Sequence, residues 1–412
     1  MFPRLGYSLN AFTFFFGLMP TSAYVHIPFC RRRCFYCDFP ISVIGNRKRG
    51  ETSDTISTYV DWLCREINAT PALGSALETV FFGGGTPSLL SVSQLETILS
   101  SLDQRFGLAT NVEISMEMDP GTFDVSHVQG YSALGVNRIS LGVQAFDDRL
   151  LELCGRFHRL ADVERAVEAM CQVPSWSLDL ISGLPTQTLD QWQAGLERAI
   201  AAQPHHISIY DLTLEPHTPF GKQYRPGEQP LPSEGTTVAM YRLAQHILTT
   251  AGYHHYEISN YAQAGHQCRH NRTYWENRPF YGFGMGATSY TQAQRVARPR
   301  TQQTYRQWVY QFQQTGGVLE ASPLPLIEQL TDGLMVGLRL AEGIDLAPFI
   351  DRFGPAFTTM LNTRLQTYLT TGQALLENNR LRLSDPDGFL ISNTVLADLF
   401  NGIEQLAEHL AK

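Results

Sequence analysis

Three cysteines stand close together near the amino end of the chain, Cys30, Cys34 and Cys37, at spacing C-x3-C-x2-C. So short a run lets one loop fold round a soft metal centre and point three sulfurs inward. Thiolates suit iron–sulfur clusters and zinc. The next cysteine, Cys64, is too far along the chain to supply a fourth sulfur from the same loop. A cubane held by three cysteines leaves one iron open. A structural zinc site is closed by four ligands, and His26 with the three cysteines would make such a set. Spacing alone leaves both readings standing. Arg31, Arg32 and Arg33 suit an anionic cluster and serve equally as solvated charges.

The elements around this loop must position it. Tyr24-Val25-His26-Ile27-Pro28 predicts a short strand that ends at proline and delivers the cysteines at its carboxyl end. Thr79-Val80-Phe81-Phe82 predicts a buried strand running straight into Gly83-Gly84-Gly85-Thr86-Pro87. Glycines there permit unusual dihedrals and bring main chain close to a ligand. Strands at 112–118, 138–143, 177–182 and 206–212 alternate with helices at 55–67, 91–102, 126–134, 161–171 and 189–202. Six strands in such alternation argue for a parallel sheet whose working edge is formed by the strands' carboxyl ends. A full barrel needs eight. Cys64, on the first helix, reads as a core thiol.

Glu117, Gln144, Arg156 and Asp179 lie at or just after those carboxyl ends. A carboxylate inside Leu178-Asp179-Leu180-Ile181 is costly unless paired, and an internal salt bridge with Arg156 would pair it. The functional alternative is a ligand with its own carboxylate, hydroxyls and ammonium. Arginine forks onto a carboxylate, and carboxylates and amides accept or donate to the rest.

At 412 residues the chain suits one large domain and a second smaller one. A hydrophobic content of 43% with 17% charged residues is that of a folded protein. The net charge of −8 gives no global attraction to nucleic acid. Peripheral membrane contact is left open, through a local basic patch. Seven cysteines, three of them clustered, argue for a metal site in a reducing compartment, the cytoplasm, and against a disulfide framework. Ala11 to Met19 is apolar and too short to span a bilayer. Residues 1–20 read as an extension, with Met19 an alternative start.

The cysteine loop with its strand and glycine turn resembles the radical S-adenosylmethionine (SAM) superfamily. Gly83 to Pro87, Ile114 to Pro120, Gly142-Val143-Gln144 and Asp179 to Pro185 are similar to the oxygen-independent coproporphyrinogen III dehydrogenase (HemN-like) family. The resemblance runs from about Tyr24 to near the end. It implies an α/β fold, a partial parallel (β/α)6 barrel over 21–235 with a mostly helical carboxyl-terminal domain at 236–412 containing a small β-segment. It implies a [4Fe–4S] cluster on Cys30, Cys34 and Cys37 whose open iron is chelated by SAM. It maps SAM contacts onto Tyr24, Gly84, Gly85, Thr86, Glu117, Gln144, Arg156 and Asp179, with Tyr36 and Thr213 as weaker matches.

A second informative stretch is His266 to Trp275. Histidine and cysteine ligate heme iron, and tyrosine and tryptophan pack on a porphyrin face. A lone histidine is also commonly structural. His270-Asn271-Arg272-Thr273-Tyr274-Trp275 resembles the H-N-x-x-Y-W motif of the family's heme-chaperone branch, which implies His270 as a heme ligand in a loop outside the barrel core. Cys268 is the rival ligand. The dehydrogenases carry a further cysteine where Phe39 stands here, and a longer arm than the 29 residues before Cys30. The expectation is therefore a carrier that passes heme to an acceptor protein. The alternative is the oxidative decarboxylase of coproporphyrinogen III. Whether it is an enzyme is left open, and no catalytic residue is assigned.

Overall fold

Each of the five crossovers between the parallel strands has a helix that starts at a short polar capping side chain. Ser53, Ser91, Asp124, Asp147 and Thr188 all accept a backbone N–H from the first turn that follows. Between the helices run β1 (Ser22–Ile27), β2 (Leu77–Gly84), β3 (Leu108–Met118), β4 (Arg138–Gln144), β5 (Ser175–Ser182) and β6 (His206–Asp211). They are parallel and adjacent in chain order. The computed structural model describes residues 19–46, 49–318 and 322–410. The extension expected at 1–20 lies outside them except for Met19 and Pro20.

The sheet does not end at β6. An antiparallel hairpin, β7 (His254–Glu257) and β8 (Asn260–Ala262), joins it there, and β9 (Tyr281–Phe283) pairs parallel with β1 at the other edge. The expected boundary after residue 235 therefore falls between strands of one sheet. These additions are three or four residues long, too short for a strand period to show. The first apolar core runs from Ala23 to Val309, and a second gathers Leu330 to Leu406 with Tyr241. That second core is built by helices Leu326–Gly337, Ala347–Thr370 and Ser392–Leu410 with a hairpin at Ala374–Glu377 and Arg380–Leu383. Gly354, at φ 68° and outside helical geometry, and Pro355 divide the middle segment into two helices across a kink. A five-residue helix, Pro219–Gln223, lies in the connection between β6 and the helix Glu234–Thr250.

Strand alternation divides the sheet's two faces. Val25, Ile27, Val80, Met116, Leu141, Leu178 and Ile207 pack in the core beneath the helices. Residues of the opposite parity are mostly polar and buried on the concave side, among them Ser22, His26, Thr79, Glu113, Ser115, Arg138, Ser140 and His206. Such an interior is stable only if its groups are paired.

A buried carboxylate ties the sheet's edge together. Glu66, fully buried on the helix Asp54–Ala69, accepts from Arg298 Nε at 2.8 Å, Tyr305 Oη at 2.5 Å and Gly284 N–H at 2.8 Å. Tyr59, on the same helix, donates to the His26 carbonyl at 2.7 Å and accepts from Met285 N–H at 3.0 Å. The turn after β9 is thereby fixed behind β1. Glu66→Ala leaves Arg298 buried and uncompensated and is expected to cost about 3–5 kcal/mol. A fall in the denaturant midpoint checks it; an unchanged midpoint would show that the network holds nothing together.

Candidate cluster and cofactor site

The cysteine loop leaves β1 and is held by main chain. Phe29–Cys30 pairs with Ser42–Val43, and Gly85 and Thr86 donate to the carbonyls of Ile27 and Phe29 at 2.9 and 2.7 Å. Arg33 wraps the loop by donating to the carbonyls of Cys37 and Phe39, both at 3.1 Å. The glycine turn fits against it without room for side chains. A Cβ on Gly84, at φ 108°, would stand 2.3 Å from the His26 ring, and one on Gly85 would stand 2.7 Å from the Phe29 carbonyl oxygen.

The three cysteines are half-buried free thiols. Thr86 Oγ1 donates to Cys30 Sγ, and an Arg156 nitrogen donates to Cys34 Sγ, each at 3.5 Å. These donors suit anionic sulfur. Burial pushes the Cys30 thiol up to about 12 against the Thr86 hydrogen bond, so a thiolate there calls for a cationic centre. The mononuclear zinc alternative does not match. His26 has both ring nitrogens engaged, with Tyr24 Oη and the Pro40 carbonyl, each at 3.0 Å.

Arg156 is buried and does not meet Asp179. It pairs with Asp119, donates to the Gly142 carbonyl at 3.0 Å, and keeps its Nε without a hydrogen-bond partner. Burial opposes its charge, but Asp119 outweighs burial and holds it cationic. The expected Arg156–Asp179 bridge is thus corrected. Asp119 also accepts from Thr86 at 3.2 Å, and residue reading missed its role. The available signal was its place in Asp119-Pro120-Gly121 just past a strand's end. A pocket beside Cys34 is lined by Arg31, Thr86, Asp119, Arg156 and Phe157.

Asp179 instead takes the Ser140 hydroxyl at 2.8–2.9 Å, and burial raises its pKa. Glu117 accepts from Gly84 N–H at 3.0 Å; burial first, then Asp179, push it up to about 8. Gln144 ends β4 at φ 68°, past a register shift, and its amide nitrogen neighbours Gly142. Tyr24 stacks on Phe81 beside Glu117. Tyr36 packs on Phe220 in the loop, and Thr213 is exposed beyond β6. The structure therefore gathers Tyr24, the glycine turn, Glu117, Gln144, Arg156 and Asp179 at the carboxyl rim and the concave face beneath it, with Tyr36 and Thr213 at the margin.

His270 is elsewhere. It sits on a seven-residue helix, Arg269–Trp275, and is fully buried. Nδ1 meets Thr79 Oγ1 and Nε2 meets Tyr274 Oη, both at 2.8 Å, and the ring stacks on Phe81. Burial holds the imidazole neutral, down to about 3. The expectation of a loop outside the barrel core is corrected: this helix closes the sheet's amino end, opposite the cysteines. Seven residues give too little period to reveal a buried face.

Two outcomes follow for the carboxyl end. Arg156→Ala should weaken SAM binding more than tenfold, a charged hydrogen bond being worth about 2 kcal/mol, and should spare the cluster. Equal calorimetric affinity would remove Arg156 from the site. Glu117 binds its proton more tightly folded than unfolded, so ligand-free stability should fall as pH rises from about 4.5 to about 8. Glu117→Gln should lose that slope in pH-resolved thermal melts; an unchanged slope would contradict the assignment.

Comparison with known proteins gives the site its setting. The family model described as the radical SAM superfamily matches residues 24–199, and that described as the HemN C-terminal domain matches 324–390. The chain is 47% identical over 405 residues to the heme chaperone HemW of Synechocystis, covering 94% of this chain and 98% of that protein. It is 33% identical to the HemW of Lactococcus lactis, covering 91% and 96%. The structure of coproporphyrinogen III oxidase (HemN) from Escherichia coli superposes with a TM-score of 0.78 at 22% identity, covering 95% of this chain and 92% of that one, which shows a shared fold. A [4Fe–4S] cluster and SAM come with the superfamily, and the cysteines and rim described above fit both. By its sustained likeness to those relatives, the chain belongs to the HemW family of radical SAM proteins.

Proposed function

We propose that this protein is a cytoplasmic heme chaperone that binds a [4Fe–4S] cluster and SAM at the carboxyl end of its sheet and passes heme to an acceptor protein. The observation that carries this reading is likeness to proteins of that name along nearly the whole chain. Cys30, Cys34 and Cys37 would hold three irons, and the glycine turn, Glu117, Gln144, Arg156 and Asp179 would hold SAM. When bound, the cluster supplies an open iron and an electron. The chain's own part is to orient SAM and to exclude water from the concave face. Gly84 and Gly85 bring main chain to the ligand, Arg156 offers donors to a carboxylate, and Glu117 and Asp179 offer acceptors to hydroxyls and an ammonium group.

His270 is the proposed heme ligand, because a neutral imidazole binds iron well and Tyr274 lies beside it to cover the porphyrin. Cys268 is buried two residues before it, at the helix N-cap, and burial pushes its thiol up to about 12, which favours the imidazole. The test is anaerobic reconstitution followed by hemin titration, transfer to an apo-acceptor, and a coproporphyrinogen decarboxylation assay. His270→Ala should weaken hemin binding at least tenfold and abolish transfer with iron content unchanged, while Cys268→Ala should not. Equal binding by His270→Ala would refute the ligand assignment. Decarboxylation with SAM and no heme binding by the parent would establish the dehydrogenase reading instead.

A further inference from the structure

The first turn of the helix that carries His270 is capped by one carboxylate. Glu113, on β3, spends both carboxylate oxygens on it, accepting from Arg269 N–H and His270 N–H, each at 3.0 Å. Ser22 Oγ meets Thr273 Oγ1 at 3.0 Å from β1. On β4, Arg138 pairs in register with Ser115, one place along the same face from Glu113. It is 4% exposed, it feels the Glu113 charge, and its Nε has no hydrogen-bond partner.

That arrangement is unusual. A buried arginine next to a buried carboxylate ordinarily takes it in a forked pair. Here the carboxylate is turned away to cap seven residues of helix. Other buried nitrogens without a hydrogen-bond partner lie near the same helix: His206 Nδ1, Trp275 Nε1 and Asn277 Nδ2. Folded proteins leave few such atoms, and here they lie beside an arginine that lacks its forked partner.

We propose that Cys268–Trp275 is a movable plug over the sheet's amino end, and that Glu113 exchanges the two helix amides for the Arg138 guanidinium when it opens. Opening returns the amides to water, frees the imidazole of His270 from Thr79, and presents it to heme iron. The exchange keeps the Glu113 carboxylate paired in both states, with amides in one and with a guanidinium in the other. The ligand in this statement rests on the heme-chaperone reading; the motion does not.

The two residues should act in opposite directions. Glu113→Gln weakens the closed state, so amide hydrogen exchange across 269–275 and the hemin association rate should both rise at least tenfold. Arg138→Met removes the partner of the open state, so both should fall at least fivefold. Both are measured on the full chain with its cluster loaded, with SAM affinity as the control for intact fold. Should Glu113→Gln fail to fold, Glu113→Asp, whose carboxylate is one carbon shorter, replaces it and should move both rates in the same direction. Faster exchange in both variants would mean that the pair is merely structural and would overturn the plug. Unchanged exchange in Glu113→Gln would also overturn it. Opposite shifts in exchange with no hemin binding by the parent would keep the plug and refute the heme reading.

Discussion

Backbone pairing between β1 and β2 is the constraint on which both ends of the molecule depend. The register sets Ser22 against Thr79 and Ile27 against Gly84. At the carboxyl end it lays the cysteine loop on the glycine turn, so that Gly85 and Thr86 donate directly to the loop's carbonyls. At the amino end it places Ser22 and Thr79 side by side, where they receive Thr273 and His270. A slip of one residue would turn Tyr24 and His26 into the apolar core and Val25 and Ile27 onto the concave face. Cluster loop, cofactor rim and plug would be lost together.

The concave face carries charge in two regimes. Near the cysteines, Arg156 and Asp119 neutralise each other in a tight pair. Deeper in, Glu117 and Asp179 face one another with serine hydroxyls and a main-chain amide as partners, and burial holds both toward the protonated form. A ligand bearing an ammonium group, a sulfonium and hydroxyls would complement these carboxylates, which is a physical reason, beside the family expectation, for proposing SAM there. At the amino end the imbalance takes another form, an arginine without its fork beside a carboxylate committed elsewhere.

Much of the carboxyl end was legible in the sequence. Cysteine spacing, three glycines directly after a buried strand, and polar residues closing apolar strands are local patterns, and local patterns survive in one dimension. The six parallel strands were legible for the same reason, each being long enough to alternate against a capped helix. What failed was non-local or short. Asp119 could not be matched to Arg156 because the pairing joins two loops 37 positions apart. β7, β8 and β9 are too brief for a period, so the sheet's true edges and the extent of the first core were invisible. His270 was misplaced because its motif carries family meaning but no orientation. Only the fold shows that Thr79, Phe81 and Glu113 enclose it.

The central claim is that one sheet keeps the cysteines proposed for the cluster and His270, the proposed heme ligand, at opposite ends. Strands rise about 3.3 Å per residue, so the span from Thr79 to Gly85 separates them by about 20 Å. Anomalous scattering at the iron edge, from crystals of protein loaded with both heme and cluster, measures that distance directly in any redox state. A separation of about 20 Å or more is the predicted result. A heme iron within about 10 Å of the cluster would place heme at the carboxyl rim and contradict the account.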